Sequence, residues 1–215
     1  MAPNHTGLQS ESATALELLR SPPPRERADA ARNRAAVLTA AAQLFAEHGV
    51  DAVSMDQVAA AAGVGKGTIF RRFGDKSGLA VALLDARERE LQEAILRGPP
   101  PLGPGADPPQ RLAAFCAAYL DYLLEHLDLV RMSETAAPGA RYRIGAYRFW
   151  HRHAAMLLAG TPDPDYAAHA LLAPLAAEHV AAVLPELGEK RLRAGIARLA
   201  CSAYLTGPRD GDLGS

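Results

Sequence analysis

Residues 63–78, GVGKGTIFRRFGDKSG, hold five glycines and four basic side chains in sixteen positions. Glycines this dense among cations have two chemical uses. They let backbone amides cradle the phosphates of a bound nucleotide, or they let a short basic helix approach the phosphates and base edges of DNA. Spacing decides between the two. A nucleotide-triphosphate loop needs G-x-x-x-x-G-K-[ST], and alignment on Gly65-Lys66 puts Ala60 at the first glycine and Gly67 at the magnesium-binding hydroxyl. The dinucleotide pattern G-x-G-x-x-G ends on Thr68 when started at Gly63 and on Phe70 when started at Gly65. Both motifs also follow a strand, whereas an alanine-rich helical segment precedes Gly63. The phosphate-cradling enzyme reading fails on each count.

The elements that would have to position the basic residues favour the other use. Val37, Ala41 and Phe45 recur at four-residue spacing, which predicts a helix with one apolar face that Gly49 ends. In the stretch VSMDQVAAAAG, Ser54 and Gln57 have capping-box spacing, and Val53 and Val58 fall at the positions of a hydrophobic staple. Asp56 suits the positive end of that helix. Gly63 stops it, and a third helix begins near Lys66. Ile69 and Phe73 share one face of this third helix and close a small core with Val58, Phe45 and Leu38. Lys66, Gly67, Phe70 and Arg71 lie on other faces, with Thr68 and Arg72 on one flank. Two short helices joined by a tight glycine turn form a helix-turn-helix, whose second helix enters the major groove. Gly67 costs about 1 kcal/mol of helix propensity, a cost with a reason if backbone and DNA must come close.

Composition sets the bounds around this core. The chain has 215 residues, 49% hydrophobic and 22% charged, an ordinary balance for a globular protein. It has no run of about 18 apolar residues that would span a membrane, and its first thirty residues lack a signal-type apolar core. The expected location is cytoplasmic. A net charge of -1 makes the chain as a whole no magnet for nucleic acid. From Gly63 to Lys76, however, Lys66, Arg71, Arg72 and Lys76 face one negative, Asp75, a focused cationic patch. Cys116 and Cys201 read as buried thiols in helical patterns, with no metal-binding spacing. No metal, cofactor or nucleophile–base constellation is apparent, so the chain does not read as an enzyme.

The fold class expected is all-α. Residues 1–27 read as a flexible arm, 28–75 as the helix-turn-helix unit, 76–207 as a second helical domain and 208–215 as a tail. A long fourth helix over 76–97 joins the two domains. The segment GPPPLGPGADPP, with six prolines and three glycines, ends that helix and reads as a stiff spacer. Helices are expected near 108–127, 129–136, 142–159, 164–183 and 189–206, with Pro174 kinking or breaking the fourth of these.

The segment AAVLTAAAQLFAEHGVDAVSMDQVAAAAGVGKGTIFRRFGDKSGL resembles the N-terminal domain of TetR-family transcriptional regulators. The resemblance covers residues 30 to 95 and rests on "LFAEHG", on "SMDQVAxxAGV" and on "GKGTIFRRFxxK". It implies that Ser54 bonds a backbone phosphate. Lys66, Gly67 and Thr68 would face bases or adjacent phosphates, with Phe70 and Arg71 on the same DNA-binding surface. Arg72 would reach a base edge or phosphate, and Lys76 would hold another phosphate. Phe70 departs from the family's usual tyrosine and loses a hydroxyl contact to phosphate. Gly78 stands where glutamate is frequent, which predicts weaker capping of the fourth helix.

For the C-terminal half the resemblance implies a homodimer on double-stranded operator DNA, with a small-molecule inducer acting through the fourth helix. The expected role is a repressor of a palindromic operator; an activator or a ligand-independent regulator is the alternative, and a helical interaction protein or an enzyme without DNA binding is the reading from a different class. Dimerisation is expected through the last two long helices, by Tyr166, Ala170, Ala177, Val180 and Leu184 on one and Leu192, Ile196, Leu199 and Ala203 on the other. Tyr142, Ala146, Trp150, His153 and Leu157 recur at helical spacing and are expected to face inward. Tyr119, Tyr122, Met132, Trp150 and His153 are the candidate pocket residues, an apolar set with polar handles.

Overall fold

The computed structural model describes residues 25–204. The expected arm and tail lie outside this range, except that residues 25–27 already belong to the first helix. The described residues contain helices and turns but no strand, as the patterning predicts.

The N-terminal unit contains α1 (Arg25–His48), α2 (Met55–Ala61) and α3 (Lys66–Phe73). Glycine ends α1, because Gly49 takes the left-handed conformation at φ 80° that other residues resist. The apolar stripe read from the sequence forms a real core here. Val37, Ala41, Phe45, Val53, Val58, Ile69 and Leu79 are buried together, with Leu38, Val64 and Phe73 packed against them.

α4 (Lys76–Arg97) runs from this core into the second domain, placing Leu79 in the first core and Leu84 and Ile95 in the second. α5 (Pro108–Glu125) and α6 (Leu127–Glu134) follow. The proline-rich segment between α4 and α5 is no spacer. It folds back on itself, with Gly103 N–H donating to Pro99 O at 3.0 Å, and Leu102 packs on the second core. α6 is a second bridge between the units. Val130 lies in the second core, while Leu129 and Met132 pack against the first, and Arg131 lies 3.6 Å from Asp51.

The remaining elements are a 3-10 turn (Arg141–Arg143), α7 (Gly145–Leu157), α8 (Pro164–Leu172), a second 3-10 turn (Ala173–Leu175) and α9 (Ala177–Ser202). Tyr142 sits in the first turn, ahead of α7, and is 56% exposed instead of inward-facing. Pro174 marks a break, as expected, and α8 and α9 diverge there by 51°. Helix ends leave backbone groups without partners, and here two buried charges supply them. Arg141 donates to Leu172 O at 2.8 Å and Leu175 O at 3.3 Å, and Glu134 accepts from Ala177 N–H at 2.8 Å. The two side chains also form an ion pair with each other, so both charges are compensated. α9 itself is interrupted at Gly188, whose φ of 71° and ψ of 155° lie outside the helical range. The element expected over 164–183 is thus split, and its second half joins the last helix.

Among the described residues no single helix is long and apolar enough to cross a membrane. Cys116 is buried as expected, whereas Cys201 is exposed.

Candidate nucleic-acid interface

The helix-turn-helix is assembled from local signals. Ser54 caps α2, its Oγ accepting from Gln57 N–H at 3.2 Å, while Ser54 N–H donates to Gln57 Oε1 at 2.7 Å. The capping box is therefore closed in both directions. Ser54 Oγ also donates to Gln57 Oε1 at 2.9 Å, so the hydroxyl proton points inside the box. Val53 and Val58 are both buried in the first core, as a staple requires. Gly63 makes the turn at φ 65°, and Val64 N–H returns to Ala59 O at 3.0 Å.

α3 is sharply two-sided. Ile69 is fully buried and Phe73 is partly buried against the same core. Lys66, Gly67, Phe70, Arg71 and Arg72 are exposed, and Thr68 is half-buried on the flank. Phe70 presents a 46% exposed side chain to solvent. Gly65 caps α3 with no side-chain bond, so the first amides of the helix project from its positive end. A Cβ placed at Gly67 would meet nothing within 4 Å. The fold does not require glycine there.

The four cations of this stretch divide into two kinds. Lys66 Nζ lies 2.5 Å from Asp56 Oδ2 in an exposed ion pair, and Arg71 is exposed with no ion-pair partner among the described residues. Arg72 instead donates to Ala30 O at 2.7 Å, tying α3 to α1. Lys76 is half-buried, and its ammonium donates to the carbonyls of Val50 (2.9 Å), Asp51 (3.2 Å) and Val53 (3.0 Å). Those bonds use all three ammonium protons. In this structure Lys76 thus braces the loop between α1 and α2, and Arg72 braces α1 in the same way.

The weaker capping expected from Gly78 does not occur. Capping of α4 is intact, because Asp75 accepts from Gly78 N–H at 2.9 Å. A Cβ at Gly78 would collide with the carbonyl oxygen of Phe73. Glycine is what allows α4 to start with only two residues, Gly74 and Asp75, between it and α3.

The five candidate pocket residues do not share one cavity. Tyr119 and Trp150 are core, 2% and 1% exposed, and their rings pack at 5.4 Å. Tyr122 donates to Glu88 at 3.1 Å, and Met132 packs on the first core. His153 lines a crevice of about 450 Å³ with Leu96, Phe149 and Met156, whereas Met132 and Tyr122 each line a separate, smaller one. The expected dimer residues also separate. Ala177, Val180, Leu192 and Ile196 are buried within the single chain, and Leu184 packs at the edge of that core. Tyr166, Ala170, Leu199 and Ala203 line one shallow apolar groove, where Tyr166 is 72% and Leu199 45% exposed.

The brace at Glu134 and Arg141 escapes sequence reading, because charges at helix ends ordinarily signal solvent. Asp56 is missed for another reason: its helix-dipole role already accounts for it.

A glycine turn, a two-sided basic helix and a long connecting helix define a helix-turn-helix protein. Residues 37–83 match the family model described as bacterial regulatory proteins, tetR family. Over 69 residues the chain is 45% identical to an HTH-type transcriptional regulator of Staphylococcus aureus. That match covers 32% of this chain and 36% of the relative, about a third of its length. A TetR-family regulator structure from Pectobacterium atrosepticum aligns at 26% identity and TM-score 0.57, over 80% of this chain and 93% of that one. NalD of Pseudomonas aeruginosa shares the fold at 24% identity and TM-score 0.53, over 84% and 99% of the two chains. Residues 37–83 are thus similar to the TetR-family DNA-binding domain, and the chain as a whole shares the fold of such regulators.

Proposed function

We propose that this protein is a TetR-family transcriptional regulator that binds DNA through α3. It acts in the cytoplasm as a homodimeric repressor of a palindromic operator and is released by a small-molecule inducer. The observation that carries the DNA-binding reading is the division of α3. Its apolar side is sealed by Ile69, while Lys66, Phe70 and Arg71 stand in solvent around a glycine that the fold does not need. Such a face brings cations to phosphates and base edges and lets the backbone come close.

The groove at Tyr166 and Leu199 supports self-association, since an apolar face with two exposed large side chains gains by being covered. A dimer must set its two α3 helices about one DNA turn apart, roughly 34 Å. NalD, a neighbour in fold, is described as the secondary repressor of the MexAB-OprM efflux pump, which favours the repressor reading here.

Selection of bound fragments from random DNA tests the whole reading. The expected product is an inverted repeat, bound with an affinity that falls steeply as salt rises. Salt-independent binding that is unchanged in a Lys66→Ala/Arg71→Ala variant would refute it.

A further inference from the structure

Two buried side-chain nitrogens of the second domain lack a hydrogen-bond partner among the described residues, and one belongs to His153. Its side chain is on the inner half of α7 and only 6% exposed, and its Nε2 is sealed from solvent without a hydrogen-bond partner among the described residues. Buried polar nitrogens are nearly always bonded, so an orphan asks for a ligand or a reason. Phe115 meets the imidazole edge-on, with ring centroids 5.2 Å apart. Arg111, in the first turns of α5, is close enough to repel a proton from the imidazole, and its own Nε is a second buried nitrogen without a partner. One arm of that guanidinium is anchored on Ile95 O at 3.3 Å.

The same imidazole lines a crevice of about 450 Å³ between the end of α4, α7 and the start of α8. Leu96, Phe149, Ala155 and Met156 make its walls apolar, and Arg152 and Asp165 stand in its lining as the charged groups. Leu96 and Met156 are 51% and 56% exposed, large apolar side chains left open on one opening.

We propose that this crevice binds a small molecule with an apolar ring system and a carboxylate head, the head directed toward His153 and the ring lying on Phe149, Leu96 and Met156. The choice of an anion follows from the charges. Two guanidiniums, Arg111 behind the imidazole and Arg152 in the lining, outweigh the single carboxylate of Asp165. A cationic head directed toward the imidazole would be repelled by Arg111. The neutral imidazole can offer its N–H to a carboxylate, and the apolar walls exclude water around that bond. The site rests on the effector-domain reading above, and deepens it by naming the site and the chemistry of the effector.

Naphthalene-2-carboxylate and the uncharged naphthalene-2-methanol serve as probes, titrated into the full chain by calorimetry and by fluorescence of Trp150, which lies beside Phe149. The acid is expected to bind saturably and at least ten-fold more tightly than the alcohol. Met156→Glu places a like charge at an exposed position of the wall and should weaken the acid at least ten-fold. His153→Gln should weaken it too, with folding checked by circular dichroism. Should His153→Gln fail to fold, Met156→Glu decides. Equal binding of acid and alcohol overturns the anionic head. Binding unmoved by Met156→Glu overturns the location, and no binding of either probe overturns the site. Operator binding measured on the same samples without probe separates the readings. Intact DNA binding with no probe binding removes this site alone, whereas loss of DNA binding in the unmodified chain removes the regulator.

Discussion

Lys66 opens α3 and Asp56 lies in the first turn of α2, and across the turn their charged groups stand 2.5 Å apart. The pair is exposed, so its own contribution to stability is small, at most about 1 kcal/mol. Its effect on binding is larger in kind. The carboxylate neutralises the cation that the DNA-binding reading needs, and it adds a negative charge where phosphates would approach. Asp56→Asn is therefore expected to tighten operator binding several-fold and to lower stability by about 0.3–1 kcal/mol through lost interaction with the helix dipole. Fluorescence anisotropy at low and moderate salt, with urea melts alongside, checks both. Weaker binding in the variant would mean that Asp56 orients Lys66 for contact.

Lys76 separates bracing from phosphate binding. Removing its ammonium leaves three carbonyls of the α1–α2 loop without their donor. Lys76→Met should cost about 1–3 kcal/mol in urea denaturation. The slope of log affinity against log salt should stay the same, because no phosphate partner is lost. A slope shallower by about 0.9 would return the lysine to the DNA backbone.

These two lysines show where the sequence is readable. The capping box at Ser54 and Gln57, the staple at Val53 and Val58, and the Ile69/Phe73 face are set by partners within a few residues, or by a period, and the structure reproduces each. The partners of Lys76 lie 23 to 26 positions back in the chain, and that of Arg72 lies 42 back. Four neighbouring basic residues look alike until the fold brings carbonyls to two of them. The same limit divides the last helices. Val180 and Tyr166 both belong to apolar faces by spacing, but whether the chain covers a face itself depends on packing, and it buries Val180 while leaving Tyr166 open.

Two glycines in the same stretch should respond oppositely to a methyl group. At Gly67 the added Cβ meets nothing, so Gly67→Ala should stabilise the fold by about 1 kcal/mol through helix propensity. It should also weaken operator binding, because the backbone can no longer come as close. At Gly78 the methyl collides with Phe73 O, so Gly78→Ala should destabilise the fold and loosen the junction of α3 and α4. Thermal melts and anisotropy on the same samples test the contrast, and unchanged DNA affinity in Gly67→Ala would remove the close-approach role.

The apolar groove offers a comparable contrast for self-association. Tyr166→Arg and Leu199→Glu alter exposed side chains, and each should give a folded monomer by sedimentation velocity. Ile196→Ala, in the buried core, should instead cost about 2–5 kcal/mol of stability, with the association of the folded fraction unaltered. A dimer that survives both charge substitutions would place the interface elsewhere.

Acid stability follows from His153. Burial, with the nearby Arg111 adding to it, pushes its pKa from the ordinary 6.5 down to about 4. Between these values the unfolded chain holds a proton at this site that the folded chain does not. Stability must then rise with pH across the window and be lost as pH falls from about 6.5 toward 4. His126 and His169 are lowered as well, chiefly by burial, and contribute with the same sign. The specific signature of His153 is therefore a difference. Urea unfolding of the wild type at pH 7 and pH 5 should show a larger loss than unfolding of His153→Gln over the same interval, because glutamine carries no proton in either state. Equal losses in the two proteins would mean that His153 stays protonated when folded, and that the orphan nitrogen is bonded in solution.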